Sequence, residues 1–290
     1  MSAAGTVTSP AGLSANEWLA LVSLLGDEDP AVYRTVREKI LACGPPAAES
    51  LRPHMISSDP ALRRHAREIV LHFDRQAADD HFLAFCLRHG EEFDLEHGAW
   101  LLAQTRYPRI NLEAYQALLD GYGQELRERL DFVREPEGIL ATINQYLFEE
   151  LGYHGNAENY YDPSNSYLNQ VVDRRTGNPI NLCLIYLLLA RRLKLPVVGI
   201  GLPGHFICRY QTSTAELYFD PFNRGQILTK ADCVDYLARG SYGLRDEYLA
   251  PVRPRRLLLR VCANLHQVYQ RIELASEVMR LQRYLVALAR

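Results

Sequence analysis

The spacing of apolar positions divides the chain into three stretches. From about residue 19 to residue 85 they recur every three to four residues, which is the spacing of one helical face. Inside that stretch, DPAVYRTVREKIL (residues 29–41) and DPALRRHAREIVL (residues 59–71) lie thirty residues apart and agree at Asp, Pro, Ala, two Arg, Glu and Leu. Asp can cap a helix and Pro suits its first turn, so both copies predict a helix starting at the same place. Gly44-Pro45-Pro46 ends the first of these helices. Further helical spacing runs over residues 79–130 and enters the middle of the chain without a flexible linker.

The middle reads differently. LFEELGYHGNAENYYDPSNSYLNQVVDRRTGNPINL is rich in Asn, Tyr and Gly, and leads into a strongly apolar helix over about residues 181–193. A short strand over 196–201 follows, then a hairpin of HFICRY and ELYFD joined by the polar QTSTA. Pairing Tyr210 with Ala215 sets Phe206 opposite Phe219 and Cys208 opposite Leu217 on one apolar face. The other face then pairs Arg209 with Glu216, Ile207 with Tyr218 and His205 with Asp220, making a base and a carboxylate direct cross-strand neighbours. A one-residue slip breaks every one of these pairs. After Pro254 the chain returns to helix as two amphipathic runs divided near residues 271–273.

Composition narrows the function. With 290 residues and 48% hydrophobic content the chain can bury one large core or two modest ones. Its 32 basic and 35 acidic residues are mixed throughout, for a net charge of -3, so there is no single-signed field to attract nucleic acid or an anionic membrane. The longest apolar run, residues 182–190, is too short to cross a bilayer. Residues 1–16 carry neither a basic start nor an apolar run and read as a disordered leader rather than an export signal. Six scattered cysteines without a CxxC pair predict free thiols and a cytoplasmic location. No metal is expected, because alternation puts His205 and Cys208 on opposite strand faces. No cofactor is expected either: Gly199, Gly201 and Gly204 spell GxGxxG but lead into a strand, not a helix that could hold a pyrophosphate.

Two motif sets carry resemblances. The paired Asp-Pro helices resemble HEAT-type repeats, and the last two helices are similar to one tetratricopeptide hairpin. GNPINLCLIYLLLARRLKLPVVGIGLPGHFICRY followed by FDPFNRG, with the upstream YYDPSNSYLNQVVDRRTG, resembles the SirB1 family, which has a transglutaminase-like domain. The expected fold class is therefore α+β and mainly helical: a transglutaminase-like core of the papain-like superfamily with a small antiparallel sheet, preceded by HEAT-like helices. The expected boundaries are 1–16, 17–105 (HEAT-like), 106–253 (transglutaminase-like) and 254–290 (tetratricopeptide-like).

In such a core the order helix, His strand, Asp strand implies a catalytic set of Cys183, His205 and Asp220. A thiol at a helix start with a histidine to share its proton can attack a carboxamide and form an acyl-enzyme. Counting back from Pro196, however, the nucleophile position implied by the resemblance falls on Pro179, one turn before Cys183. Cys183 also sits in an apolar run and reads more readily as a structural thiol than as a nucleophile. His205 and Asp220 read equally as a pair that closes the hairpin. Asp162, Asn165, Ser166 and Asn169 are expected to cap the following segment, and Arg174 and Arg175 to be solvated. The expected function is a non-catalytic or degenerate module that binds protein or peptide. The alternative is a cysteine-dependent acyl transferase or amide hydrolase.

Overall fold

Ser14, Asp29 and Asp59 each start a helix by taking backbone N–H groups that the first turn leaves unpaired. Ser14 and Glu17 form a reciprocal capping box at α1 (Ala15–Leu25). Asp29 accepts from Ala31 N at 2.7 Å and starts α2 (Pro30–Ala42). Asp59 does the same for Ala61 N at 2.9 Å and starts α4 (Pro60–Arg88). The two Asp-Pro copies thus occupy equivalent helix starts. Between them, Gly44 takes a φ of +74 and turns the chain into the short α3 (Pro46–Leu51). The computed structural model describes residues 12–290 except 89, 133, 134, 241 and 244. Residues 1–11 of the expected leader lie outside the described residues, while 15 and 16 belong to α1.

The chain separates into two compact units, 1–80 with 104–109 and 81–103 with 110–290. The first has its own core, in which Trp18, Leu25, Ile40, Leu51 and Ile69 are fully buried. Burying each such side chain contributes roughly 1.5–3 kcal/mol. His65 is buried in this unit, its Nδ1 2.7 Å from the Leu25 carbonyl and its ring stacked on Tyr33.

The second unit holds α5 (Leu95–Arg106) in part, α6 (Leu112–Arg129) and α7 (Pro136–Asn144). Past a wide helical turn come strand β1 (His154–Gly155), α8 (Leu168–Arg174), β2 (Thr176–Gly177) and α9 (Pro179–Leu193). Nearly every side chain of α9 is buried, which explains a helix without a polar face. Then come β3 (Val197–Ile200), β4 (Ile207–Gln211), β5 (Glu216–Asp220), β6 (Gln226–Leu228), α10 (Lys230–Arg239), α11 (Pro254–Arg271) and α12 (Ala275–Leu288). Strands β3 to β6 form one antiparallel sheet in sequence order. Helix α9 packs on β3 and β4. Helices predominate; β1 and β2 form a separate two-stranded parallel pair.

The hairpin register corrects the sequence expectation. Gln211 pairs with Glu216, Tyr210 with Leu217, Arg209 with Tyr218 and Cys208 with Phe219, each two residues from the expected partner. A two-residue slip keeps every side chain on its own face, so alternation cannot detect it. The turn decides instead. Thr212 Oγ1 accepts from Thr214 N at 3.3 Å and Ala215 N at 3.0 Å, which closes the loop over residues 212–215. Arg209 still reaches Glu216, diagonally, at 3.2 Å.

Candidate functional site

Asp220 ends β5 and immediately caps the turn that follows, its Oδ1 accepting from Phe222 N at 3.0 Å. Its other oxygen accepts from Asn223 Nδ2 at 2.8 Å and lies 2.6 Å from Nε2 of His205. His205 stands two residues ahead of β4, so this contact is not the ladder pair expected from the sequence. The backbone there is held from outside. Arg260 of α11 donates to the carbonyls of Leu202 and of His205, the latter at 2.5 Å, and Tyr236 donates to Pro203 O at 3.0 Å. Gly204, with a φ of +74, makes the bend possible. With Nε2 committed to Asp220, His205 Nδ1 makes no hydrogen bond among the described residues.

Helix α9 starts behind this histidine. Asn178 caps it, accepting from Asn181 N at 3.0 Å and Asn181 Nδ2 at 2.9 Å, and Pro179 occupies the first helical position. Asn178 Nδ2 also donates to Ser166 Oγ at 2.8 Å. Asn165 takes Asn156 Nδ2 at 3.0 Å and donates to the Asn159 and Tyr160 carbonyls. These buried amides tie the loop carrying Tyr160 and Tyr161 to the head of α9. Of the four loop residues expected to cap the next segment, Asp162 does so, at Ser164 N. Asn165 and Ser166 join the network just described instead, and the Asn169 oxygen is buried without a hydrogen bond. Arg174 is not simply solvated: it pairs with Asp162 at 2.7 Å.

Cys183 lies in the second turn of α9 and is fully buried. Its thiol donates to the Phe206 carbonyl at 3.4 Å, not to the imidazole of His205. Burial, and then the adjacent Cys208 thiol, push it well above the usual cysteine range. A reactive thiol has the opposite surroundings, partly exposed and electropositive. His205 and Asp220 are thus brought together, and Cys183 makes its hydrogen bond elsewhere.

His205 lines two clefts. One, of about 440 Å³, is walled by Tyr160, Tyr161, Pro179, Arg260 and Arg271. The other, of about 510 Å³, is walled by Asp220, Phe222, Asp232, Tyr236 and Arg239. Cys183 lines neither. An imidazole anchored by a carboxylate can orient or hold a proton at its free nitrogen. The helix-start residue beside it, Pro179, has no atom to give one. Sequence alone does not single out Arg260 and Arg271, because its pattern sets α11 apart in a C-terminal hairpin. The signal was present as polar residues at 260, 264, 267 and 271, one stripe of an otherwise amphipathic helix. Among the described residues no three His, Cys, Asp or Glu side chains gather as a metal site would need, and no helix is long and apolar enough to cross a membrane.

A UPF0162 protein of Xylella fastidiosa (strain Temecula1) is 40% identical over 186 residues, 62% of this chain and 66% of the relative. That of strain 9a5c is 39% identical over 185 residues, with the same coverage. This chain therefore spans just under two thirds of the length of those relatives. Human F-box only protein 21 is 32% identical over 139 residues, 44% of this chain but 21% of that protein. No solved structure matches the chain. The family model of the transglutaminase-like superfamily matches residues 113–263, more than half of the chain and a span that contains His205, Asp220 and the whole lining of the cleft beside Tyr236, while Asn264, Gln267 and Arg271 of the other cleft lie beyond it; the chain belongs to that superfamily.

Proposed function

We propose that this protein is a non-catalytic, transglutaminase-like module that binds a protein or peptide segment at the clefts beside His205. One observation carries the reading: Pro179 lines the cleft with His205, where the superfamily's nucleophile is expected, while the thiol one turn further on is sealed in the core. The anchored His205–Asp220 pair then shapes the cleft wall. The GNPINL, PGHF and DPF motifs resemble SirB1-type proteins, and on this reading the Asp-Pro helices act as HEAT-like repeats and α11 with α12 as a tetratricopeptide-like hairpin. Repeats of both kinds offer peptide-binding surfaces. The mixed charge and unpaired cysteines suit a cytoplasmic protein with protein partners rather than nucleic acid or membrane.

The intact His205–Asp220 pair favours one second reading, a cysteine-dependent acyl transferase or amide hydrolase in which a rearrangement of α9 frees Cys183. The test is turnover of Gln-containing peptides with a primary amine or with water, comparing the native chain and Cys183→Ala. Turnover lost with Cys183→Ala would overturn the binding reading. No turnover, with retention of a mixed-sequence peptide pool by the native chain, is the expected result.

A further inference from the structure

The cleft along α11 carries positive charge that nothing on its walls balances. Arg260 and Arg271 line it, and no Asp or Glu does. Some other arginines of this unit are matched by acids, among them Arg129 by Glu150, Arg174 by Asp162, Arg191 by Asp94 and Arg192 by Glu96. Neither Arg260 nor Arg271 has a carboxylate partner among the described residues. Arg260 spends Nη2 on the Leu202 and His205 carbonyls, leaving Nε and Nη1 without a hydrogen bond. The Arg271 guanidinium carbon lies over the Tyr161 ring, 3.9 Å from its centroid. A cation–π contact of that kind holds a guanidinium by its face and does not use up its N–H groups, which can serve an anion.

The two arginines end a regular stripe. Arg260, Asn264, Gln267 and Arg271 recur at i, i+4, i+7 and i+11 and all four line the cleft. At 1.5 Å per residue the stripe is about 16 Å long, the span of about five residues of extended chain. The amides of Asn264 and Gln267 have no hydrogen-bond partner among the described residues, and each offers both a donor and an acceptor. A peptide backbone needs both, whereas a phosphodiester backbone only accepts. The net charge of -3 also opposes a polyanion.

We propose that this groove binds an extended peptide segment bearing carboxylates, one seated on Arg260 and one on Arg271, with the peptide backbone read by Asn264 and Gln267. The inference rests on the peptide-binding reading above and adds the chemical class of its ligand. Burial draws the Arg260 guanidinium below its usual range, with only Tyr160, Tyr236 and Cys183 facing it electrostatically, so an incoming carboxylate meets a charge that lacks a counterion.

The test uses the full chain and two capped, fluorescein-labelled heptapeptides, one with Glu at its second and sixth positions and its Gln twin, followed by fluorescence anisotropy. The Glu peptide is expected to bind at least about tenfold tighter, by a margin that shrinks with added salt, as charge-assisted Arg–carboxylate pairs require. Arg271 is exposed, so Arg271→Gln leaves the core intact. It should cost the Glu peptide about tenfold in affinity and leave the Gln twin unchanged. A neutral peptide with a free C-terminus, set against its amidated form, tells a chain-end carboxylate from a side-chain one, and preference for either form of carboxylate supports the groove. Equal affinity for the Glu and Gln twins, with no preference for the free C-terminus over its amide, overturns this inference while peptide binding stands. Failure of the twins and of a mixed-sequence peptide pool overturns both readings. Displacement of the Glu peptide by a single-stranded RNA at lower concentration overturns the peptide assignment.

Discussion

His205 and Asp220 meet at 2.6 Å across the mouth of a hairpin in which they are not paired residues. Arg260 fixes the backbone on one side of the contact, and the turn after β5 fixes the carboxylate on the other. The pair is therefore a product of two loop conformations, and its strength depends on both.

Asp220 satisfies three donors while almost wholly buried. Replacing it by Ala leaves the Phe222 N–H, the Asn223 amide and the imidazole without their acceptor, at a cost of about 2–4 kcal/mol. His205→Ala removes one of these contacts and should cost about 1 kcal/mol. Guanidinium unfolding of the two variants checks the order, and equal costs would contradict the capping role given to Asp220.

Cys183 provides a pH test. All six cysteines are free, and five are buried, Cys43 being the half-exposed one. A thiol reagent should label Cys43 in the native chain and reach Cys183 only after denaturation. Because burial raises the folded value for Cys183, the stability tied to its neutral thiol is complete below the unfolded value of about 8.5. That stability should decline as the pH rises past it. Cys183→Ser should show a shallower alkaline loss of unfolding midpoint than the native chain; a steeper one counts against the assignment.

Gly225 has a φ of +73, and a Cβ added there would sit 2.2 Å from Asn144 Oδ1. The Asn144 amide also donates to the Gly225 carbonyl at 2.9 Å, so it cannot swing away without losing that bond. Gly225→Ala should destabilise the second unit by about 1–3 kcal/mol. A thermal melt indistinguishable from the native one would show that the turn after Asp220 adapts freely.

Asp29→Ala and Asp59→Ala should each lose about 1 kcal/mol in chemical denaturation, since each removes a helix cap. Asp59 accepts from Leu62 N at 3.2 Å as well as from Ala61 N, so its loss should be the larger. The reverse order would mean that the second bond contributes nothing.

Asp94 takes both Nη atoms of Arg191, at 2.9 and 3.0 Å, and this pairing holds its carboxyl below the usual range. Its contribution is present above the unfolded value of about 3.9 and is lost as the pH falls through the folded one. Both side chains are about half exposed, so the contribution is only a few tenths of a kcal/mol. Asp94→Asn should be slightly less stable than the native chain at pH 6 and match it near pH 2.

Much of this protein was legible along the chain. Asp29 and Asp59 cap helices because a short acceptor followed by proline acts on its own first turn. Apolar runs marked α9 and the strands because burial must follow the local period. Tertiary structure decided what local pattern cannot encode. It set the hairpin register through the Thr212 turn, since a two-residue slip leaves every face unchanged. It drew Cys183 toward the Phe206 carbonyl in the core, and it laid Arg260 and Arg271 along the cleft beside His205, far from it in sequence. A polar stripe on a helix reads as solvent-facing until another element packs beside it, and only the folded chain shows which element that is.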